Sequence, residues 1–273
     1  MNSYELMVKA NYYLIKGGTL TQRQSEKIVN QLLASISSDT VARNIYRSVR
    51  YPDNFDKNGH KMYPLYFIPP YNNGMKLKTL LSQTPKTHIL AANSYELEIL
   101  RLLVLLTVNN DAVKEMTAQT LARLRTTCFG NEDDGVGECY ETSLIVLRFL
   151  AAAAPHETVW IKERLTNYHK YYDSKHRHWS VKWYYLLCLS ELPVCIEEQE
   201  LKCLKAELLE QLNSGYPMKT ANAKTFHPIL LCILRNCLSR LPEYEYLSNN
   251  IPKVNEADGR LQLQVASVFE PIH

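Results

Sequence analysis

Three arginines share one setting. Arg101 lies in Ile99-Leu100-Arg101-Leu102-Leu103, Arg148 in Val146-Leu147-Arg148-Phe149-Leu150 and Arg235 in Ile233-Leu234-Arg235-Asn236-Cys237. Each occupies the middle of an apolar helical run, where an unpaired charge is expensive. Two chemistries follow. If equivalent helices line one concave face, the guanidinium groups converge and can bind a carboxylate, a phosphate or an acidic peptide. Otherwise each pairs with a carboxylate of a neighbouring helix pair, such as Glu98 or Glu141, as buried charges usually do.

The turn Asn131-Glu132-Asp133-Asp134-Gly135, with Glu138 beyond it, sets four carboxylates before a helix. Oxygen-rich clusters hold calcium or magnesium. The spacing is not that of an EF-hand, however, and a helix dipole alone favours acids at its start. A solvated capping turn is the plainer reading. Asp134 and Glu138 stay as candidate ligand-binding residues.

Asn167-Tyr168-His169-Lys170-Tyr171-Tyr172, followed by His176-Arg177-His178-Trp179, is rich in histidine and aromatics. His176 and His178 are two apart and diverge on a helix, so a joint metal site would need a loop. His178 is a candidate acid or base if it faces a cavity with Glu191 or Tyr184. Trp179, Tyr66 and Tyr71 are candidate walls of such a cavity, with Tyr63 and Trp183, although Trp179 tucked beneath the next helix is the plainer expectation.

Seven cysteines without CxxC spacing point to neither a disulfide framework nor a zinc ribbon. Cys188, Cys203, Cys232 and Cys237 fall in apolar helical runs, where cysteine acts as a small hydrophobe. Cys139 is the one cysteine expected at a helix start, and nearby carboxylates argue against a reactive thiolate there. No metal and no cofactor is expected, and a reducing compartment fits this usage.

The elements that must position these residues are helical. Residues 3–16 have Leu6, Ala10, Tyr13 and Leu14 on one face and end at Gly17-Gly18. Thr21 and Gln24 have capping-box spacing ahead of Ile28, Leu32, Leu33 and Ile36. Asp39 caps a third helix through Val49. Residues 51–88 then break the period with five of the twelve prolines and strong turn signals at Pro69-Pro70 and Asn72-Asn73-Gly74.

From Asn93 onward an apolar helix alternates with a more amphipathic one. SYELEILRLLVLLTV precedes DAVKEMTAQTLARLRTTC, ECYETSLIVLRFLAAAAP precedes TVWIKERLTNYHKYY, and HWSVKWYYLLCLSELP precedes IEEQELKCLKAELLEQLN. TFHPILLCILRNCLSRLP begins a fourth unit. The arginines lie 47 and 87 residues apart, about one and two repeat lengths, as in α/α arrays with repeats of roughly 40–50 residues. The expected fold is all-α, an irregular array of α/α helical hairpins, toroid-like or HEAT-like. Its parts are N-terminal helices at 1–50, the Pro/Tyr-rich segment at 51–88, the array at 89–250 and an extended tail at 251–273, together one domain.

The junction Asp134-Gly135-Val136-Gly137-Glu138-Cys139-Tyr140-Glu141-Thr142-Ser143-Leu144 resembles a repeat junction of the α/α-toroid superfamily, which includes terpenoid cyclases and protein prenyltransferase β-subunits. Arg177-His178-Trp179-Ser180 leading into Tyr184-Tyr185-Leu186-Leu187 is a degenerate second instance. The resemblance covers residues 90–245 and implies a helical-hairpin fold. The chain has no DxDD acid motif and no QxxxGxW repeat, so no catalytic residue is carried over.

Composition bounds the function. A balance of 31 basic against 28 acidic residues leaves +3, too little for nucleic-acid binding without a clustered basic face. MNSYELMVKANYYLIKGG lacks a signal-peptide core, and no run approaches the roughly 18 uncharged apolar residues of a membrane span. A cytoplasmic protein without membrane association is expected. Its expected function is a helical-repeat binding or scaffold protein presenting a groove or cavity to a protein, a peptide or a small anion. The alternatives are a toroid-type enzyme acting on a small hydrophobic or carbohydrate-like substrate and a HEAT-like nucleic-acid binder.

Overall fold

A computed structural model describes residues 1–38, 65–69, 77–107, 109–131, 137–175, 179–217, 221–248 and 253–264. It is mostly helical with one small sheet, as the all-α reading expects. The chain divides into two compact units, one formed by Met1–Asn11 with Leu20–Glu191, the other by Tyr12–Thr19 with Leu192–His273. Outside the described residues lie the helix expected from Asp39 to Val49, most of the 51–88 segment, Asp134 and His178.

Helix α1 (Ser3–Ile15) buries Leu6, Met7, Ala10, Asn11 and Ile15 at steps of one and three to four residues. Tyr13, expected on the buried face, is instead 43% exposed, and its hydroxyl donates to Thr19 O at 3.1 Å. The stripe is displaced because a polar residue, Asn11, takes an inward place that hydrophobic periodicity cannot assign. Helix α2 (Gln22–Leu33) starts on the expected capping box, with Thr21 and Gln24 bonded reciprocally.

The first unit continues with α3 (His88–Leu106), α4 (Asp111–Leu124), α5 (Cys128–Asn131), α6 (Glu138–Ala153), α7 (Thr158–Lys175) and α8 (Trp179–Leu189). From Leu90 to Leu103 every residue of α3 is buried, including Glu96, Glu98 and Arg101. A helix enclosed on all sides tolerates such charges only when they are paired. Helix α3 lies along α6, and α6 also packs on α7 and α8. Within 65–69, Leu65 and Phe67 are buried, and Tyr66 O accepts from Ser37 N at 2.9 Å.

In the second unit α9 (Val194–Ser214) packs on α10 (Ala221–Leu238), followed by a 3-10 helix at Pro242–Ser248. Strands β1 (Tyr216–Pro217), β2 (Lys253–Ala257) and β3 (Arg260–Gln264) form an antiparallel sheet in the order β1-β3-β2. Asp258 and Gly259, both at positive φ, close the two-residue hairpin between β2 and β3. Gly215 ends α9 at φ 60°, where a Cβ would run into Leu261 O. Arg260 fastens the same corner, donating to Ser214 O at 2.6 Å and Gly215 O at 2.9 Å.

Candidate functional site

Two of the three recurring arginines meet inside the first unit. Arg101 comes from α3 and Arg148 from α6; they are 6% and 1% exposed. Arg148 grips Glu191 through Nε to Oε2 at 2.8 Å and NH2 to Oε1 at 2.9 Å, a fork-to-fork geometry that lysine cannot reproduce. Its NH1 donates to Glu98. Arg101 NH2 pairs with the same Glu191 Oε2 at 2.7 Å. Asn11 Oδ1 accepts from Arg101 NH1 and Arg148 NH1, both at 3.2 Å, while its Nδ2 donates to Met7 O at 3.0 Å. Tyr184, on α8, donates its hydroxyl to the other oxygen of Glu98.

Two guanidinium groups and two carboxylates make this network formally neutral. Its internal fields act on every member. Burial and the facing Arg148 lower the pKa of Arg101, with Glu191 and Glu98 opposing. For Arg148, burial works against the charge, but Glu191 and Glu98 outweigh it and hold the group well above its ordinary value. Glu191 is lowered: burial would raise it, and Arg101 and Arg148 overcome that cost. Tyr184 is raised well above its ordinary value, first by burial and then by Glu98. Burial likewise raises the Cys188 thiol, which donates to Leu144 O at 3.2 Å. Glu191 is the member with a window to solvent, its side chain 20% accessible.

A second buried pair stands on the same helix α3. Glu96 meets Arg123 NH2 at 2.6 Å, and its Oε1 accepts from Tyr66 N at 2.6 Å. The Tyr66 hydroxyl donates to Gln119. Tyr66 therefore straps residues 65–69 to α3 and α4.

Glu138 also serves the fold. From the first position of α6 its carboxylate accepts from the amides of Lys86 and Thr87, the latter at 2.7 Å, and from the Thr87 hydroxyl. Thr87 is the N-cap of α3.

Arg235 sits in the second unit, donating Nε to Leu247 O at 2.7 Å and NH1 to Asn236 Oδ1 at 2.9 Å. Asp134, His178 and Tyr71 lie outside the described residues, and of Trp179 only the backbone, at the start of α8, is described. Trp183 is 3% exposed. Among the described residues no three His, Cys, Asp or Glu side chains come together as a metal site.

Sequence reasoning did not name Asn11 as a site residue, and it treated Glu191 and Tyr184 only as neighbours for His178. Asn11 had no local signal, because a polar residue is assigned to no apolar stripe. Glu191 had none beyond its place just after an apolar helix. The chain matches no protein family, no curated protein and no solved structure. The resemblance of residues 90–245 to toroid repeats accordingly rests on the quoted residues alone.

Proposed function

We propose that this chain is a helical binding or scaffold protein whose partner is a protein or peptide rather than a small anion. The closed charge network carries this reading. Arg101 and Arg148, the pair best placed to receive an anion, already hold Glu191, and Arg148 also holds Glu98. A phosphate or carboxylate ligand would have to displace a bidentate, largely buried carboxylate. Buried charge-assisted bonds among Asn11, Glu98, Arg101, Arg148, Tyr184 and Glu191 favour one arrangement of the helices that supply them, which suits a protein that presents a fixed surface.

An enzyme at this network is less well supported. General acid-base catalysis works best with a group that titrates near neutrality. Glu191 is held below its usual range, and Tyr184 and Cys188 above theirs. Glu138 is engaged in capping. A nucleic-acid binder is disfavoured by a net charge of +3. Among the described residues no helix is long and apolar enough to cross a membrane, and we take the protein to act in the cytoplasm.

The reading is tested by a thermal-shift screen of the purified chain against inorganic phosphate, citrate and nucleotides, run beside a peptide-library selection with crosslink mapping. Peptides that bind saturably and crosslink to exposed helix surface, with no shift from any anion, are the expected outcome. A saturable anion-induced rise in Tm that disappears in Arg101→Met overturns it.

A further inference from the structure

Cys128 opens α5 and Cys139 is the second residue of α6. Their Sγ atoms lie 3.6 Å apart, both residues are half-buried, and neither is in a disulfide. The two turns that carry them are anchored separately. On the Cys128 side, Trp160 Nε1 donates to Gly130 O at 2.6 Å, and Arg164 NH2 donates to Asn131 O at 2.8 Å. Arg125 stacks over the Trp160 ring, and a side chain at Gly130 would run into Leu124 O. On the Cys139 side, Glu138 is fixed by Lys86 and Thr87, and Tyr140 donates its hydroxyl to Tyr168 O at 2.8 Å. The sulfur pair is thus held from both sides. A disulfide between them brings the sulfurs from 3.6 Å to a bonding distance of roughly 2.0 Å.

We propose that Cys128 and Cys139 are a reversible dithiol site that reacts with small hydroperoxides. Cys139, in the first turn of α6, is the attacking thiolate. The neighbouring Glu138 carboxylate, whose charge counts against a thiolate, is engaged by the Lys86 and Thr87 amides, and helix amide dipoles favour the charged form. Its sulfur attacks the peroxide oxygen: the S–O bond forms, the O–O bond breaks, and the departing oxygen takes a proton to leave as an alcohol or water. The Cys128 thiolate then attacks the sulfenic sulfur. The S–S bond forms, the S–O bond breaks, and hydroxide leaves and is protonated to water. Both thiols are oxidised by two electrons in total and one peroxide is reduced. A dithiol reductant then reduces the disulfide by thiol–disulfide exchange, returning both thiols while it is itself oxidised to a disulfide. The other described cysteines offer a contrast: Cys188, Cys232 and Cys237 are buried, with Cys232 pushed up to about 11 by burial, and Cys203 is exposed on α9.

The test treats the reduced full chain with hydrogen peroxide, alkylates remaining thiols and maps peptides by mass spectrometry. A peptide linked through Cys128 and Cys139, with loss of two hydrogens, is expected to form at least about tenfold faster than oxidation at Cys203, and a dithiol should return both thiols. In Cys128→Ser a sulfenic-acid trap should label Cys139; in Cys139→Ser it should leave Cys128 unlabelled. Alkylation of both residues in the treated wild-type chain, or oxidation no faster than at Cys203, overturns the proposal. Because the wild-type map decides this, a variant that fails to fold does not blunt the test. Labelling of Cys128 in Cys139→Ser overturns the assigned order of attack.

Discussion

Arg148 holds Glu191 by two parallel hydrogen bonds of 2.8 and 2.9 Å across 43 positions of sequence. One bond of this kind is ordinary at a protein surface. Here the guanidinium is 1% exposed and also serves Glu98 and Asn11, so α6 cannot shift along α3 or α8 without breaking several charge-assisted contacts at once.

Removing Arg148 should therefore be severe. In Arg148→Met, Glu98 keeps the Tyr184 hydroxyl and Glu191 keeps Arg101, but two buried carboxylates then face one guanidinium. Breaking a buried pair from one side costs about 3–5 kcal/mol. Urea denaturation should show that loss, with Arg148→Lys intermediate because an ammonium cannot make the fork. A loss below about 1 kcal/mol, the level of a surface pair, would show that the network is not what fixes these helices.

Glu191 links the same network to pH. Its folded pKa lies below its ordinary value because of Arg101 and Arg148, so between the two values the unfolded chain binds more protons. The contribution is complete above the unfolded value, about 4.3 for a free glutamate, and drains away as the pH falls through the lower folded value. Glu191→Gln should be destabilised at neutral pH, and its deficit against wild type should shrink as the pH is lowered through that window. Urea midpoints measured in parallel at several acidic pH values check this. A deficit that stays constant would place the proton linkage elsewhere.

These consequences were only partly legible beforehand, for physical reasons. The alternation of apolar and amphipathic helices is a local signal, and α3, α4, α6, α7, α9 and α10 lie where the pattern expects them. The shared surroundings of Arg101 and Arg148 also carried information, since both sit mid-helix on neighbouring helices. What the pattern could not carry was long-range pairing. Asn11 reaches Arg101 across 90 positions and Arg148 across 137, and nothing local to Asn11 distinguishes it from a solvated asparagine. Arg235 looked equivalent by its neighbours, yet it belongs to the second unit and is answered by Leu247 O and Asn236. Periodicity reports which side of a helix is inside. It does not report which partner waits there.

Glu138 shows how a carboxylate that looks like a ligand can be occupied by the backbone. The acidic junction before α6 invited an ion or substrate, but this side chain accepts two amides and a hydroxyl ahead of α3. It acts as a cap delivered from another helix, satisfying donors that α3 cannot satisfy itself. Glu138→Ala should cost about 0.5–2 kcal/mol, the usual range for losing a cap, and hydrogen exchange at the Lys86 and Thr87 amides should speed up while the interior of α3 stays protected. Glu138→Gln should fall between, since one neutral oxygen still accepts but the charge that strengthens each bond is gone. Unchanged exchange at those two amides in Glu138→Ala would show that the carboxylate is not their acceptor in solution.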